Sequence, residues 1–414
     1  MTEALSGWDW RCLARAPHRL AFAAACLLLL LASLWWWLQL AVWTAGPALP
    51  TLALAPALAH GAMMVFGFFP LFFAGFIFTV VPKWLRVSGP ALAEVALAVL
   101  PQLAGWLLWL AASLPGSVPV HAAAALLALA GLLLQYGRLA LMWLSSAEPD
   151  RVHAGIFGVA GLVGAISLAG LAWALRQGDI ALARAWLQTA LWGFVFATFA
   201  AAAHRMVPVL SSDHLPGPGR SWSVLVLLQA CAAIKVALAW ADRAGASSAA
   251  SDLSGSLVLL SAGVALLRVA RVWARVQSLG MRMMAMLHAG FVWLALAFVL
   301  DAAGSLGPFF GWQFSPLAAL HACAMGFMAT VMLAMVERVS CAHGGRKLTF
   351  EGWVWRAFRL LQLATLLRVA VELAPAMLHA GLLLAVSLWT LALLPWCWRL
   401  LRWYGSPRPD GRPG

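Results

Sequence analysis

The chain has 414 residues, 64% of them hydrophobic and only 10% charged, with 24 Trp and 20 Phe. A soluble globular domain cannot hide that much apolar surface, so the composition excludes a soluble fold and specifies a polytopic membrane protein. The formal charge of +13 lies in short turns between apolar runs, which membrane topology explains and nucleic-acid binding does not.

The apolar runs are continuous and not alternating, and backbone groups in lipid must be satisfied within the segment, so the expected fold is an all-α helix bundle. Twelve spans are expected at roughly 19–43, 57–81, 91–112, 119–143, 153–175, 181–203, 222–241, 253–275, 284–303, 315–337, 354–374 and 377–399. No soluble domain interrupts them, so residues 1–414 read as one transmembrane domain, with 405–414 as a disordered tail. Trp8, Trp10 and the arginines from Arg11 to Arg19 lead straight into the first run, without the small-residue cleavage site of a signal peptide. With both termini cytoplasmic, most of the Lys and Arg fall in inside segments. Outside segments then hold only Arg176, Arg184, Arg243 and Arg368, so both ends are expected on the cytoplasmic side of a bacterial inner membrane.

The second span opens with Ala59-His60-Gly61. At about 100° per residue, Met64, Gly67, Leu71, Ala74, Gly75 and Phe78 share the face of His60. An imidazole above a strip cleared of bulk suits a haem, which needs a neutral nitrogen on iron and close backbone approach. The same notches equally serve close helix packing. Among the remaining histidines, His121, His321 and His379 fall on the outer side with His60, whereas His153, His204, His214, His288 and His343 fall on the inner side. Intramembrane histidine marks function by default, although His121 and His153, at span ends, are expected to face interfacial water.

The tenth span carries His321, Met325, Met328, Met332 and Met335 at alternating spacings of four and three, a stripe headed by histidine. Methionines at such a spacing read first as a packing seam. His321 enters from the outer side at the same depth as His60, so the two imidazoles are the candidate axial ligands of one b-type haem. A second constellation lies inside: His204-Arg205-Met206, the segment Met281 to His288, and Cys341-Ala342-His343. Thioethers, a thiol and the imidazoles of His204, His288 and His343 form a soft ligand set that suits copper. Lys235 and Glu372 are buried charges open to an ion pair, a proton step or snorkelling. The six cysteines form no CxxC or CxxCH, and there is no Walker motif, dinucleotide fingerprint or Ser-His-Asp arrangement.

Five stretches carry a family resemblance: PHRLAF at 17–22, HGAMMVFGFFPLFFAGFIFTVVPKW at 60–84, HRMVPVL at 204–210, MLHAGFVWLAL at 286–296 and ALHACAMGFMATVMLAMVERVSCAHGGRKL at 319–348. On these the chain resembles the NnrS family of bacterial membrane proteins, which implies twelve helices, haem and copper, and a part in defence against nitric oxide. Many members carry His-x-His-Glu-Met in the second span. Here His60-Gly61-Ala62-Met63-Met64 keeps only the first histidine. The second span is also similar to the corresponding helix of the haem-copper oxidase main subunit, where the leading histidine binds a low-spin haem and its partner comes from the tenth helix. That superfamily's copper ligands on helices six and seven have no counterpart here, so the resemblance does not extend to an oxygen-reducing centre. The implied function is thus a membrane haem protein, with copper as a second metal and nitric oxide or another diatomic gas as its ligand. A copper or haem transporter and an NO or oxygen reductase are the alternatives.

Overall fold

The computed structural model describes residues 8–46, 52–113, 117–206, 222–276, 279–312, 315–348 and 352–411. Twelve long helices run through the described residues, and no strand occurs among them. They are α1 (Pro17–Ala45), α2 (Pro56–Ile77), α3 (Leu92–Ala112), α4 (Val118–Ser145), α5 (Val152–Gln177), α6 (Ile180–Met206), α7 (Trp222–Arg243), α8 (Ala249–Val276), α9 (Arg282–Leu306), α10 (Leu317–His343), α11 (Trp353–Leu373) and α12 (Leu378–Tyr404). The expected all-α polytopic architecture therefore holds. Eleven of the twelve are long and apolar enough to cross a bilayer. The exception is α11, whose Arg356, Arg359, Arg368 and Glu372 lower its hydropathy.

Local chemistry sets the helix ends. Prolines near the first turn open α1, α2 and α4, where a missing N–H costs nothing. Asp179 caps α6 by accepting from the Leu182 N–H at 2.8 Å, and Gly178 ends α5 in the left-handed conformation at φ 69°. Where α3 crosses α4, a Cβ on Gly131 would lie 2.5 Å from the Ala98 carbonyl oxygen, and one on Gly105 2.6 Å from that of Ala124. The backbones touch there, so both positions need glycine.

The centre of the bundle is formed by α2, α6 and α10, which bury the largest shares of their length. Each contains a π-helical segment: Met63–Phe68 in α2, Ala190–Phe196 in α6 and Ala322–Ala329 in α10. In α2 the segment ends just before Pro70, whose missing N–H interrupts the normal ladder. Gln135 on α4 donates to the Pro70 carbonyl at 3.2 Å and accepts from Gln102 on α3 at 2.9 Å, which ties these three helices together.

Charges inside the bundle are paired, as low dielectric demands. Lys235 on α7 meets Asp301 on α9 at 2.7 Å, and Glu337 on α10 accepts from Arg399 at 2.6 Å and from the Trp396 indole at 3.2 Å, both on α12. Glu372 is bound by Arg368 one turn earlier on α11. Lys235 and Glu372 thus belong to two separate ion pairs.

An even number of helices returns the chain to the end where it began. The Asp9 N–H donates to Gly405 O at 2.8 Å, and the buried Arg19 guanidinium donates to the carbonyls of Cys12, Tyr404 and Ser406. Beyond α12, Arg408 pairs with Asp410 and donates to His343 O at 3.1 Å. A basic segment thus lies over the acceptor-rich C-terminal end of α10.

Candidate cofactor site

His60 and His321 sit near the starts of α2 and α10, each ahead of that helix's π segment. The His321 turn of α10 packs against α11, the helix that carries Arg368. The His60 ring stacks on the Trp36 indole of α1, with centroids 4.2 Å apart and planes 15° apart. Its Nδ1 is buried and has no hydrogen-bond partner among the described residues. The Nδ1 of His321 lies 2.8 Å from Leu317 O. A carbonyl only accepts, so that nitrogen carries the proton, leaving the Nε2 lone pair as a ligand. One imidazole fixed by the backbone behind it and another with an unsatisfied nitrogen form a donor set that fits a metal-centred cofactor. Trp36, Arg368 and Glu372 complete this neighbourhood. The triple tryptophan at 35–37 and the charges crowded into α11 were the sequence signals for them.

The notched face of α2 packs against α1. A Cβ on Gly75 would meet the Phe22 ring at 2.4 Å, and one on Gly67 would meet Leu28 at 3.1 Å, both on α1. Gly67 and Gly75, read from the helical wheel as cofactor contacts, are therefore seats for side chains of α1. Met64 lies within the π segment Met63–Phe68 and is partly buried against the core. On α10, Met328 and Met332 are buried in the core, as a packing seam requires, while Met325 and Met335 are partly buried.

The described inner histidines fall into three separate groups. His204 meets His153, with Nδ1 and Nε2 3.0 Å apart, and the Arg205 guanidinium lies 3.3 Å from His153 Nδ1 and 3.0 Å from Asp150 Oδ2. Since arginine only donates, His153 accepts at Nδ1 and donates from Nε2 to His204. His343 faces His18, with ring centroids 5.3 Å apart, and accepts from Lys83 at 3.4 Å. His288 donates to Ala270 O at 3.1 Å beside Trp273. No group of three or more His, Cys, Asp or Glu forms a metal site among the described residues, and His214 lies outside them. His204, His288 and His343, expected to share copper, are thus held by three different sets of partners. The expectation that His121 and His153 face interfacial water also fails, because both are fully buried. His121 lies between Ser113 Oγ at 3.2 Å and Ser117 O at 3.1 Å.

A family model described as "NnrS protein" matches residues 12–408, nearly the whole chain. None of the curated proteins matches it.

Proposed function

Because the chain belongs to the NnrS family, we propose that it is an integral membrane haem protein of the nitric oxide response, with His60 and His321 as axial ligands of a b-type haem. The observation that carries this reading is the buried, unpartnered Nδ1 of His60 beside a His321 whose own Nδ1 is already held by Leu317 O. A buried polar atom without a partner costs about 1–3 kcal/mol, and a ligand that engages this imidazole removes the cost. When bound, the haem would supply a redox-active iron, and nitric oxide or another diatomic gas would have to compete with His60 or His321 for it. The chain's residues orient the imidazoles and exclude water.

The proposed setting is the bacterial inner membrane with both termini cytoplasmic. The crowding of Lys and Arg at the end of the bundle where the termini meet supports it. Copper has no converging ligand set among the described residues, so no copper site is assigned. A binuclear reductase centre is not supported, since α7 carries no histidine and His204 is bonded to His153.

The test is iron and copper analysis of the purified protein with a reduced-minus-oxidised spectrum. Stoichiometric b-type haem is expected. Purified protein without haem, stabilised by added copper, would favour metal transport instead.

A further inference from the structure

Helix α8 carries arginines on the face it turns to the lipid. Arg268, Arg271 and Arg275 follow one another at spacings of three and four, so they share one helix face, and all three are exposed. Leu257 and Val264, also exposed, continue that face toward the other end of the helix. The stripe belongs to the apolar span Ser251–Arg275 and not to a turn beyond it. It lies at the end of the bundle that carries the termini, where the even-numbered helices finish.

The protein's own carboxylates do not answer this charge. At the same end of the bundle Glu94 pairs with Arg138, Glu148 with Arg86, Asp150 with Arg205, Glu337 with Arg399 and Asp410 with Arg408. Among the described residues, Arg268, Arg271 and Arg275 form no ion pair.

The span is also short for a bilayer on its exposed side. By the helical rise, exposed Asp252 and exposed Arg268 are about 24 Å apart along the axis, less than the ~30 Å of the hydrocarbon layer. Tilting the helix shortens that reach further. An aspartate has a short arm, whereas an arginine extends along the helix toward the headgroups. Arg268 therefore reaches toward Arg271 and Arg275, which gathers three cations at headgroup depth, and like charges so crowded repel one another unless an anion lies among them. A guanidinium takes two phosphate oxygens at once, which suits it to a phosphodiester. A zwitterionic headgroup brings its own cation, which the third arginine repels, so charge complementarity selects a lipid whose headgroup is net negative.

We infer that this face of α8 binds one anionic phospholipid of the surrounding bilayer, its phosphodiester held by Arg268 and Arg271 beside Arg275 and its acyl chains laid along Val264 and Leu257. The site is independent of His60, His321 and any haem between them.

Dioleoyl phosphatidylglycerol and dioleoyl phosphatidylcholine are the probes, titrated against the purified full-length protein in detergent and read by native mass spectrometry and by the shift in melting temperature. Phosphatidylglycerol is expected to bind more tightly by about fivefold or more, the worth of one arginine near a membrane surface. Arg268→Gln with Arg271→Gln, and Arg271→Gln with Arg275→Gln, are each expected to abolish that preference. Having two pairs means that one misfolded variant does not end the test. Arg359→Gln with Arg402→Gln removes the same charge from exposed positions elsewhere and should leave the preference intact. Glycerol phosphate, a headgroup without chains, should not compete. Equal binding of the two lipids by the unaltered protein would overturn the inference. So would a preference that survives in a folded stripe variant, an equal loss in the Arg359/Arg402 control, or displacement of the lipid by glycerol phosphate.

Discussion

Replacing His60 with phenylalanine separates what this imidazole does for the fold from what it does for a cofactor. Phenylalanine retains an aromatic ring against Trp36, where the stack at 4.2 Å contributes about 0.5–1.5 kcal/mol beyond area burial. It removes the buried Nδ1 that has no partner, an atom whose desolvation costs about 1–3 kcal/mol. The cofactor-free His60→Phe protein is therefore expected to be more stable than cofactor-free wild type by about 1–2 kcal/mol. The cofactor-loaded protein should respond in the opposite sense, because an iron–imidazole bond is lost. The assay is thermal or denaturant unfolding in detergent, with both proteins prepared with and without haem. A cofactor-free variant less stable than wild type by more than about 1 kcal/mol would show that the imidazole is satisfied within the protein, and the reasoning about its spare nitrogen would be wrong.

Lys235→Met strands Asp301 inside the bundle and is expected to cost about 3–5 kcal/mol, while Lys235→Met with Asp301→Leu should recover most of that loss. A double-mutant cycle on unfolding measures it. Gly131→Ala pushes a methyl to 2.5 Å from the Ala98 carbonyl oxygen, so the α3–α4 crossing should open at a cost of about 1–3 kcal/mol. The melting temperature reports that change. Outside the spans, Asp179 is held below the usual carboxylate range, first by the Leu182 N–H and then by Arg243. Its folded value is depressed, so the stabilising contribution is present above the unfolded value of about 4 and is lost as the pH falls through the folded one. The protection of the Leu182 amide, measured as its exchange relative to the intrinsic rate at each pH, should fall in acid, and in Asp179→Asn that fall should vanish.

The apolar runs made the helices legible in the sequence, because a bilayer requires length and continuity that composition reveals directly. His60 and His321 were legible for a related reason, since an imidazole is conspicuous in a span otherwise made of Phe, Ala, Met and Gly. The π segments were not legible. A wheel drawn at about 100° per residue carries the face of His60 to Gly67 and Gly75, but it shows neither the π-helical turns at Met63–Phe68 nor that those glycines pack against Leu28 and Phe22 of α1. Pro70, just beyond the segment, was the local sign of the break. The pairing of His204 with His153 depends on how α5 packs against α6, 51 residues apart in the chain. Span-by-span reading assigned the two the same depth without making them partners. The donation from Arg408 to the end of α10 joins segments far apart in the chain, which no span-by-span reading shows.

The central claim is that one haem iron lies between His60 and His321. The most direct measurement is the low-temperature electron paramagnetic resonance spectrum of the oxidised protein, taken beside that of His60→Ala and His321→Ala. The account predicts a low-spin bis-imidazole signal in the unaltered protein that gives way to a high-spin signal, or to loss of haem, in each variant. A low-spin signal that persists unchanged in both variants would contradict it.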